Sequence, residues 1–496
     1  MECGRRTSHA IGISALILRG APALSRILPA LTFAAKSCTT ASLCSPQDTL
    51  DLQSTNIDVR EERGPSRNTP PENPGGASAA AMILPRQRMG ETPNAPRGAL
   101  VILFLTVFLD LVGFGIVIPL LPLYAEQFGA SPITVTWLVA VFSLMQFLFA
   151  PWWGQLSDRH GRRPILLVGL FGSAISYLFF GLAGSLLGLF LARILAGVMG
   201  ATVGVAQAYV ADVTSARDRA RGMGLIGAAF GLGFIFGPVI GGVLSHFGPG
   251  VPFFGASALA LVNGLLAVVL LPESLRPELR RRMVQPGIVA RFRLLRRLAK
   301  EADLAVLYLA FFLITFAFAA LEATLSLWAD RRWALTPAQV AYLFGYLGVV
   351  ATIVQGGLVG PLVRRFGERK LAITGAGSFA VGLVALPLAP SPLLVAIALA
   401  LLAFGQGTAI PSVSSLISRN APPDEQGRLL GISQSLSAMG RVIGPVWGGV
   451  AFARIGIGAP YLTGSAFVLL ALITMVRFLG ESKSPPGDEL RSGEET

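Results

Sequence analysis

GQLSDRHGRRP, Gly154 to Pro164, sets one acid (Asp158), three arginines (Arg159, Arg162, Arg163) and a histidine between two long apolar runs. Charge concentrated in so short a turn has two readings. The arginines fix the side of a membrane on which the turn stays, or the mixed charges form a latch between moving parts. Asp158 is the residue that separates them, because an acid works against the topological signal of its neighbours. The stretch has a second copy. GPLVRRFGERK, Gly360 to Lys370, begins 206 residues later and carries Arg364 where the first carries Asp158. Further on, GLGFIFGPVIGG (Gly231–Gly242) recurs as SAMGRVIGPVWGG (Ser437–Gly449). Gly237-Pro238 and Gly444-Pro445 stand 207 residues apart, and Arg221 matches Arg428 at the same offset. A near-constant offset at three separate places identifies an internal repeat.

The composition says what surrounds these turns. The chain is 53% hydrophobic and 14% charged, with a mean hydropathy of +0.64. Soluble domains carry about 25% charged residues, so this is a membrane composition. A net charge of +13 would suit nucleic acid, but the basic residues, nearly all arginine, lie mostly in short loops between apolar runs. Topology explains them, and no nucleic-acid partner is expected. Cys3, Cys38 and Cys44 all precede the first long apolar run, and His9, His160 and His246 are scattered. Neither set has metal-ligand spacing, so no metal or other cofactor is expected. A nucleotide-binding loop of the G-x-x-x-x-G-K-[ST] type is missing, as is a convergent nucleophile and base, so neither ATP drive nor an enzyme is expected.

Apolar segments long enough to cross a hydrocarbon core of about 30 Å as helix fall near 98–124, 133–155, 164–184, 187–211, 221–246 and 251–272. Six more follow near 304–329, 337–362, 370–390, 392–418, 428–453 and 459–480. The expected fold is an all-α membrane protein of twelve transmembrane helices in two pseudo-symmetric halves, 98–272 and 304–480. A basic loop, 273–303, joins them, with an amphipathic interfacial helix over 288–298, and a polar tail, 481–496, follows. Most loop arginines share one face, which the positive-inside rule makes cytoplasmic together with both termini. Residues 1–97 differ from the rest. The first 48 are almost free of acids and the remainder is rich in Pro, Gly and Ser. Three readings stay open: an over-extended reading frame with a start at Met82 or Met89, a disordered tail, or a cleaved targeting segment that would place the protein in an organelle membrane.

Charged groups inside helices are costly and mark function by default. Asp110 lies about eleven residues into the first helix and is the candidate proton carrier or the partner of a buried arginine. Arg193 in the fourth helix is such an arginine. Glu322 in the seventh is a second proton or cation-recognition candidate, and Arg441 in the eleventh requires a carboxylate, a carbonyl or an anionic substrate. Gly233, Gly237 and Gly241 have the small-xxx-small spacing that lets helix backbones approach, Gly242 extends the row, and Pro238 bends the helix. Gln146, Gln207, Asn263, Gln355 and Gln406 read as interhelical glue or substrate contacts. Two six-helix halves imply a binding site at their interface near the bilayer midplane.

At these residues a family resemblance emerges. GQLSDRHGRRP resembles the signature of the loop between helices 2 and 3 in the major facilitator superfamily, with Gly154, Asp158, Arg159, Gly161, Arg162 and Arg163 in its defining positions. Arg193–Ala201 and Gly233–Gly242 are similar to its helix 4 motif and to the helix 5 motif of its antiporters. LDLVGFGIVIPLLPLY (Leu109–Tyr124) is similar to helix 1 of the tetracycline-exporter branch of drug:proton antiporters. The resemblance implies a monomeric secondary transporter of the bacterial inner membrane that exchanges protons for amphiphilic small molecules, with the charged turn as a cytoplasmic gate and the proton gradient as energy source. It also implies that Asp158 meets the start of helix 11 when the inner side closes. The chain departs from the tetracycline branch at two places: Ser176 stands where that branch has an acid in helix 3, and Leu371–Leu386 holds no acid. A nutrient symporter or facilitator on the same fold, and a non-transporting sensor, are the competing readings.

Overall fold

The computed structural model describes residues 98–200, 202–214, 218–275, 302–420 and 426–481. Twelve helices among them are long and apolar enough to cross a membrane, and no strand occurs among these residues. They are α1 (Ala99–Glu126), α2 (Pro132–His160), α3 (Arg162–Leu182), α4 (Leu186–Val213), α5 (Arg219–Leu244) and α6 (Val251–Leu270). The second half holds α7 (Ala302–Trp333), α8 (Pro337–Phe366), α9 (Glu368–Leu388), α10 (Pro392–Arg419), α11 (Gln426–Arg454) and α12 (Ala459–Glu481). Residues 1–97, the loop with its expected interfacial helix and the end of the polar tail lie outside the described residues.

The helix ends follow local chemistry. Ser131, Ser185, Thr336 and Ser391 cap α2, α4, α8 and α10 by accepting a bond from a backbone N–H three residues on. The charged turn is itself helical: α2 continues through Asp158 to His160 and α3 starts at Arg162, which leaves Gly161, at φ 103°, as the whole connection. The sequence expectation ended α2 five residues early because hydropathy falls before the helix does. Gly367, at φ 78°, joins α8 to α9 in the same way. Two helices depart from regular α geometry. α4 consists of Leu186–Met199 and Thr202–Val213, and α8 widens into a π-helical turn over Val354–Leu358. The interruption of α4 frees carbonyls that neighbouring side chains satisfy, Gln146 Nε2 donating to Gly200 O (2.7 Å) and Trp153 Nε1 to Val198 O (2.5 Å).

The repeat read in the sequence is present in the packing. α5 lies on α1 and α11 lies on α7 through the same glycine row. A methyl group on Gly237 would stand 2.7 Å from both Val112 O and Gly115 Cα, and one on Gly448 would stand 3.2 Å from Ala320 O. Gly241 faces Ile116 of α1, whereas its neighbour Gly242 faces Ala338 and Ala341 of α8. The paired glycines thus serve two interfaces, one within a half and one between halves. Ser257 donates to Ala174 O (2.8 Å) in the first half, and Ser465 to Ala380 O (3.0 Å) repeats that bond in the second.

The halves meet through α5 with α8 and α2 with α11. Away from the arginine-rich face they touch: Ser326 Oγ donates to Pro119 O (2.9 Å) and Arg331 Nη2 to Glu126 Oε1 (2.9 Å). Toward the arginine-rich face several interhelical glycines have space around them among the described residues. A methyl group on Gly227 of α5, Gly356 or Gly360 of α8, or Gly431 of α11 would meet no atom within 4 Å.

Candidate functional site

Two groups of charged residues are buried in this frame. The first is the opening turn. Arg162, 4% exposed, holds three partners: Asp158 Oδ1 through an ion pair, Asp212 Oδ2 of α4 (3.0 Å), and Ser157 Oγ (2.7 Å). Glu273, just beyond α6, caps the start of α3. It accepts from Arg162 N (2.8 Å) and Arg163 N (3.3 Å) as well as from Ser274 N and Leu275 N. A carboxylate at a helix N-terminus meets unpaired N–H groups and the positive end of the dipole. Gly161 is required twice here, by its positive φ and because a side chain would run into the Glu273 carboxylate. Arg163 donates to Val268 O, while Arg159 is exposed. Gly154 O accepts from Ser157 Oγ (2.8 Å). The sequence reading missed Asp212, Glu273 and Ser157. The argument that singled out Asp158, an acid kept on an arginine-rich face, would have found both acids.

The second half inverts this arrangement. Glu368 at the start of α9 occupies the place of Arg162, and Arg419 at the end of α10 donates to it (2.8 Å). The same helix pair is bridged with the charges exchanged, at an exposed site where Arg419 is 67% accessible. Breaking a buried pair costs about 3–5 kcal/mol, whereas an exposed pair contributes about 1 kcal/mol or less. Asp212→Asn is therefore expected to lower the thermal unfolding temperature of the purified protein by several degrees, towards the smaller cost because Arg162 keeps Asp158. Arg419→Gln should leave the temperature nearly unchanged, and equal shifts would show that burial does not set the difference.

The second group lies inside the membrane-spanning helices. Asp110 of α1 has the hydroxyls of Thr202 and Ser173 as its side-chain neighbours. Thr202 lies in the second segment of α4. Tyr177 of α3 is within electrostatic reach of both Asp110 and Arg193, and it packs on Gly113, a turn beyond Asp110. Arg193, 3% exposed, donates from Nε to Leu138 O (3.1 Å) and lies 4.5 Å from the centre of the Phe142 ring. Its charged neighbour is Glu322, across the interface in α7. Glu322 is half-buried, with Arg441 of α11 and Arg193 as its electrostatic partners. Arg441, also half-buried, spends one donor on Ser437 Oγ (2.9 Å) of its own helix. Asp110, Tyr177, Arg193, Glu322 and Arg441 are thus electrostatic neighbours in succession, drawn from both halves, and they set two acids against two arginines.

Four site residues distant in sequence are thus brought into one network, although Asp110 and Arg193 connect through Tyr177 and not directly. Gln146 and Asn263 act as glue between helices, Asn263 Nδ2 donating to Thr106 O (2.8 Å). Gln207 and Gln355 are exposed. No group of three or more His, Cys, Asp or Glu suited to a metal occurs among the described residues.

The profile of the Major Facilitator Superfamily matches residues 103–359 and 307–495. The tetracycline resistance protein of class C from Escherichia coli is 34% identical over 391 residues, covering 76% of this chain and 96% of that protein. Multidrug resistance protein 2 of Bacillus subtilis (strain 168) is 31% identical over 397 residues, covering 78% and 97%. Among solved structures, the human organic anion transporter MFSD10 (TETRAN) aligns with a TM-score of 0.61 at 27% identity, over 78% of this chain and 100% of that chain. A bacterial homolog of the human lysosomal transporter Spinster, in an inward-facing and occupied conformation, shares the fold with a TM-score of 0.61 at 16% identity, over 78% and 98%.

Proposed function

The chain belongs to the Major Facilitator Superfamily, and from that premise we propose that it is a proton-coupled antiporter that exports drugs or other amphiphilic small molecules by alternating access. It is an integral multi-pass membrane transporter, similar to tetracycline and multidrug resistance proteins. The observation that carries the finer reading is the neutral row of two acids and two arginines across the junction of the halves. A proton taken up by Asp110 or Glu322 leaves the row with a net positive charge, and a change of that kind biases the equilibrium between states of a two-state carrier. The basic face is the cytoplasmic one, by the positive-inside rule. The membrane is the bacterial inner membrane, the protein acts as a monomer, and the proton gradient replaces any cofactor. Tetracycline is disfavoured as the substrate by Ser176 and by an α9 with no acid between Leu371 and Leu386.

The charged turn is the cytoplasmic latch of this cycle. Asp158 Oδ1 is committed to Arg162, but Oδ2 is buried without a hydrogen-bond partner. α11 begins on the same face, with its positive dipole end directed there, and a carboxylate meeting it gains about 0.3–2 kcal/mol. The residues that precede Gln426 lie outside the described ones. Asp158→Asn is expected to keep expression and orientation while shifting the population toward the inward-open state and slowing turnover. Arg364→Ala, at the matching and exposed position, should do much less. Residues 98–496 contain no cysteine, so single cysteines introduced at each face report the populations by their accessibility. Equal effects at the two positions would return the turn to a topology signal.

The overall reading is tested in proteoliposomes with an imposed pH gradient and a panel of fluorescent amphiphiles. Accumulation against the direction of proton flow, lost on addition of an uncoupler, is the expected result. Accumulation in the direction of proton flow would make the protein a symporter, and binding without movement would make it a sensor.

A further inference from the structure

The two deep arginines of the central row differ in what they leave free. Arg193 is sequestered: it is 3% exposed, bonded to Leu138 O and covered by the Phe142 ring. Arg441 is half-buried and has a single hydrogen bond, to Ser437 one turn back on its own helix. A guanidinium carries five N–H donors in a fixed fork that fits a carboxylate, and most of the Arg441 fork has no partner among the described residues. Glu322 is its electrostatic neighbour, yet the carboxylate forms none of the close ion pairs found elsewhere in the described residues.

The repeat sharpens the point. In the matching glycine row of the first half, the position of Arg441 is held by Phe234. The row therefore needs no arginine for helix packing, since α5 packs on α1 without one. Phe234 instead joins Phe114 (6.2 Å between ring centres), which in turn meets Phe142 (5.4 Å). This apolar aromatic surface carries Arg193 on its Phe142 end, and Glu322 is within electrostatic reach of both Arg193 and Arg441, so the surface and the fork can serve the apolar body and the polar head of one amphiphile.

We propose that Arg441 reads the substrate, and that the compounds it selects carry an anionic group together with a cationic or proton-donating group that Glu322 accepts: zwitterionic amphiphiles. The charge balance decides between this class and its rivals. The row is neutral with both acids ionised, so a zwitterion leaves it neutral. A simple cation leaves the Arg441 fork unfilled, and a simple anion is opposed by Glu322. A zwitterion also fits exchange, because a proton on Glu322 removes the acceptor for its cationic end.

The inference rests on the transporter reading above, and its test does not depend on proton coupling. Binding to the purified full chain is measured by fluorescence anisotropy for three xanthene dyes: rhodamine B, which is zwitterionic, its cationic ethyl ester, and the anion fluorescein. Rhodamine B is expected to bind about tenfold more tightly than either of the others, the scale of one charge-assisted bond. Arg441→Gln should cost rhodamine B about tenfold and leave the ester bound at least as tightly as before. Arg441→Lys, which keeps the charge but not the fork, should recover part of the loss and guards against a merely misfolded variant. Tighter binding of the ester or of fluorescein, equal weakening of acid and ester by Arg441→Gln, or no binding of any dye would each overturn the proposal. Failure of gradient-driven transport with dye preference intact would instead count against antiport alone.

Discussion

Asp110→Asn is expected to bring gradient-driven accumulation down to the level of vesicles without a gradient, while substrate binding and downhill exchange persist. The substitution changes almost nothing except the ability to carry a proton. Asparagine has the same shape and keeps a polar group beside the hydroxyls of Thr202 and Ser173, the neighbours of this carboxylate. No arginine is left stranded, because Arg193 has its own carbonyl and aromatic partners. A loss confined to uphill transport therefore identifies the proton and not the packing. The measurement compares accumulation with counterflow in the same proteoliposomes. Unchanged accumulation against the gradient would remove Asp110 from the coupling.

Gly237→Val is expected to be strongly disruptive. The atoms in the way are backbone, Gly115 Cα and Val112 O, each 2.7 Å from the first added carbon. Flexible side chains can turn aside, but two helix backbones must separate along their length. Overpacking of a tight interior costs about 1–3 kcal/mol even where side chains can yield. A sharp fall in the monodisperse fraction after solubilisation, with a lower unfolding temperature, is the expected outcome. Gly227→Val, on the same helix with open space around it, is the control and should behave like the parent protein. Parity between the two variants would show that the α1–α5 contact has slack not visible in the structure.

Most of the architecture was legible in the sequence because bilayer thickness and hydropathy act on every span alike. The twelve segments and their pairing into halves follow from Gly237-Pro238 against Gly444-Pro445 and from the repeated arginine turn. Helix ends were less legible where charge and helix overlap. Asp158, Arg159 and His160 look like a loop by hydropathy but complete α2, since their side chains reach the basic face while the backbone stays bonded. The site was half legible. Asp110, Arg193, Glu322 and Arg441 stand out as charges in apolar runs, and that is a local signal. Their order in space is not local. It depends on α3 bringing Tyr177 within electrostatic reach of Asp110 and Arg193, and on the contact of halves that brings Glu322 within reach of both arginines. Asp212 and Glu273 escaped for the same reason: each sits at the end of an apolar run, and only the fold brings both to Arg162.

The wide turn Val354–Leu358 in α8 has no counterpart in α2, and counting residues gives its origin. The caps that open the two helices, Ser131 and Thr336, are 205 residues apart. The glycines that close them, Gly161 and Gly367, are 206 apart. One copy of an ancestral helix carries a residue more than its twin, and the surplus lies within the bilayer. An unbroken α-helix would pass such a surplus on as a rotation of about 100°, turning everything beyond it to the wrong side. A π-turn absorbs it on the spot, and the last two turns of α8 resume the alignment of α2. The π-turn, with Gly356 and Gly357 at its centre, takes up the extra residue, and the arginines beyond it keep the sequence offset of the charged turn.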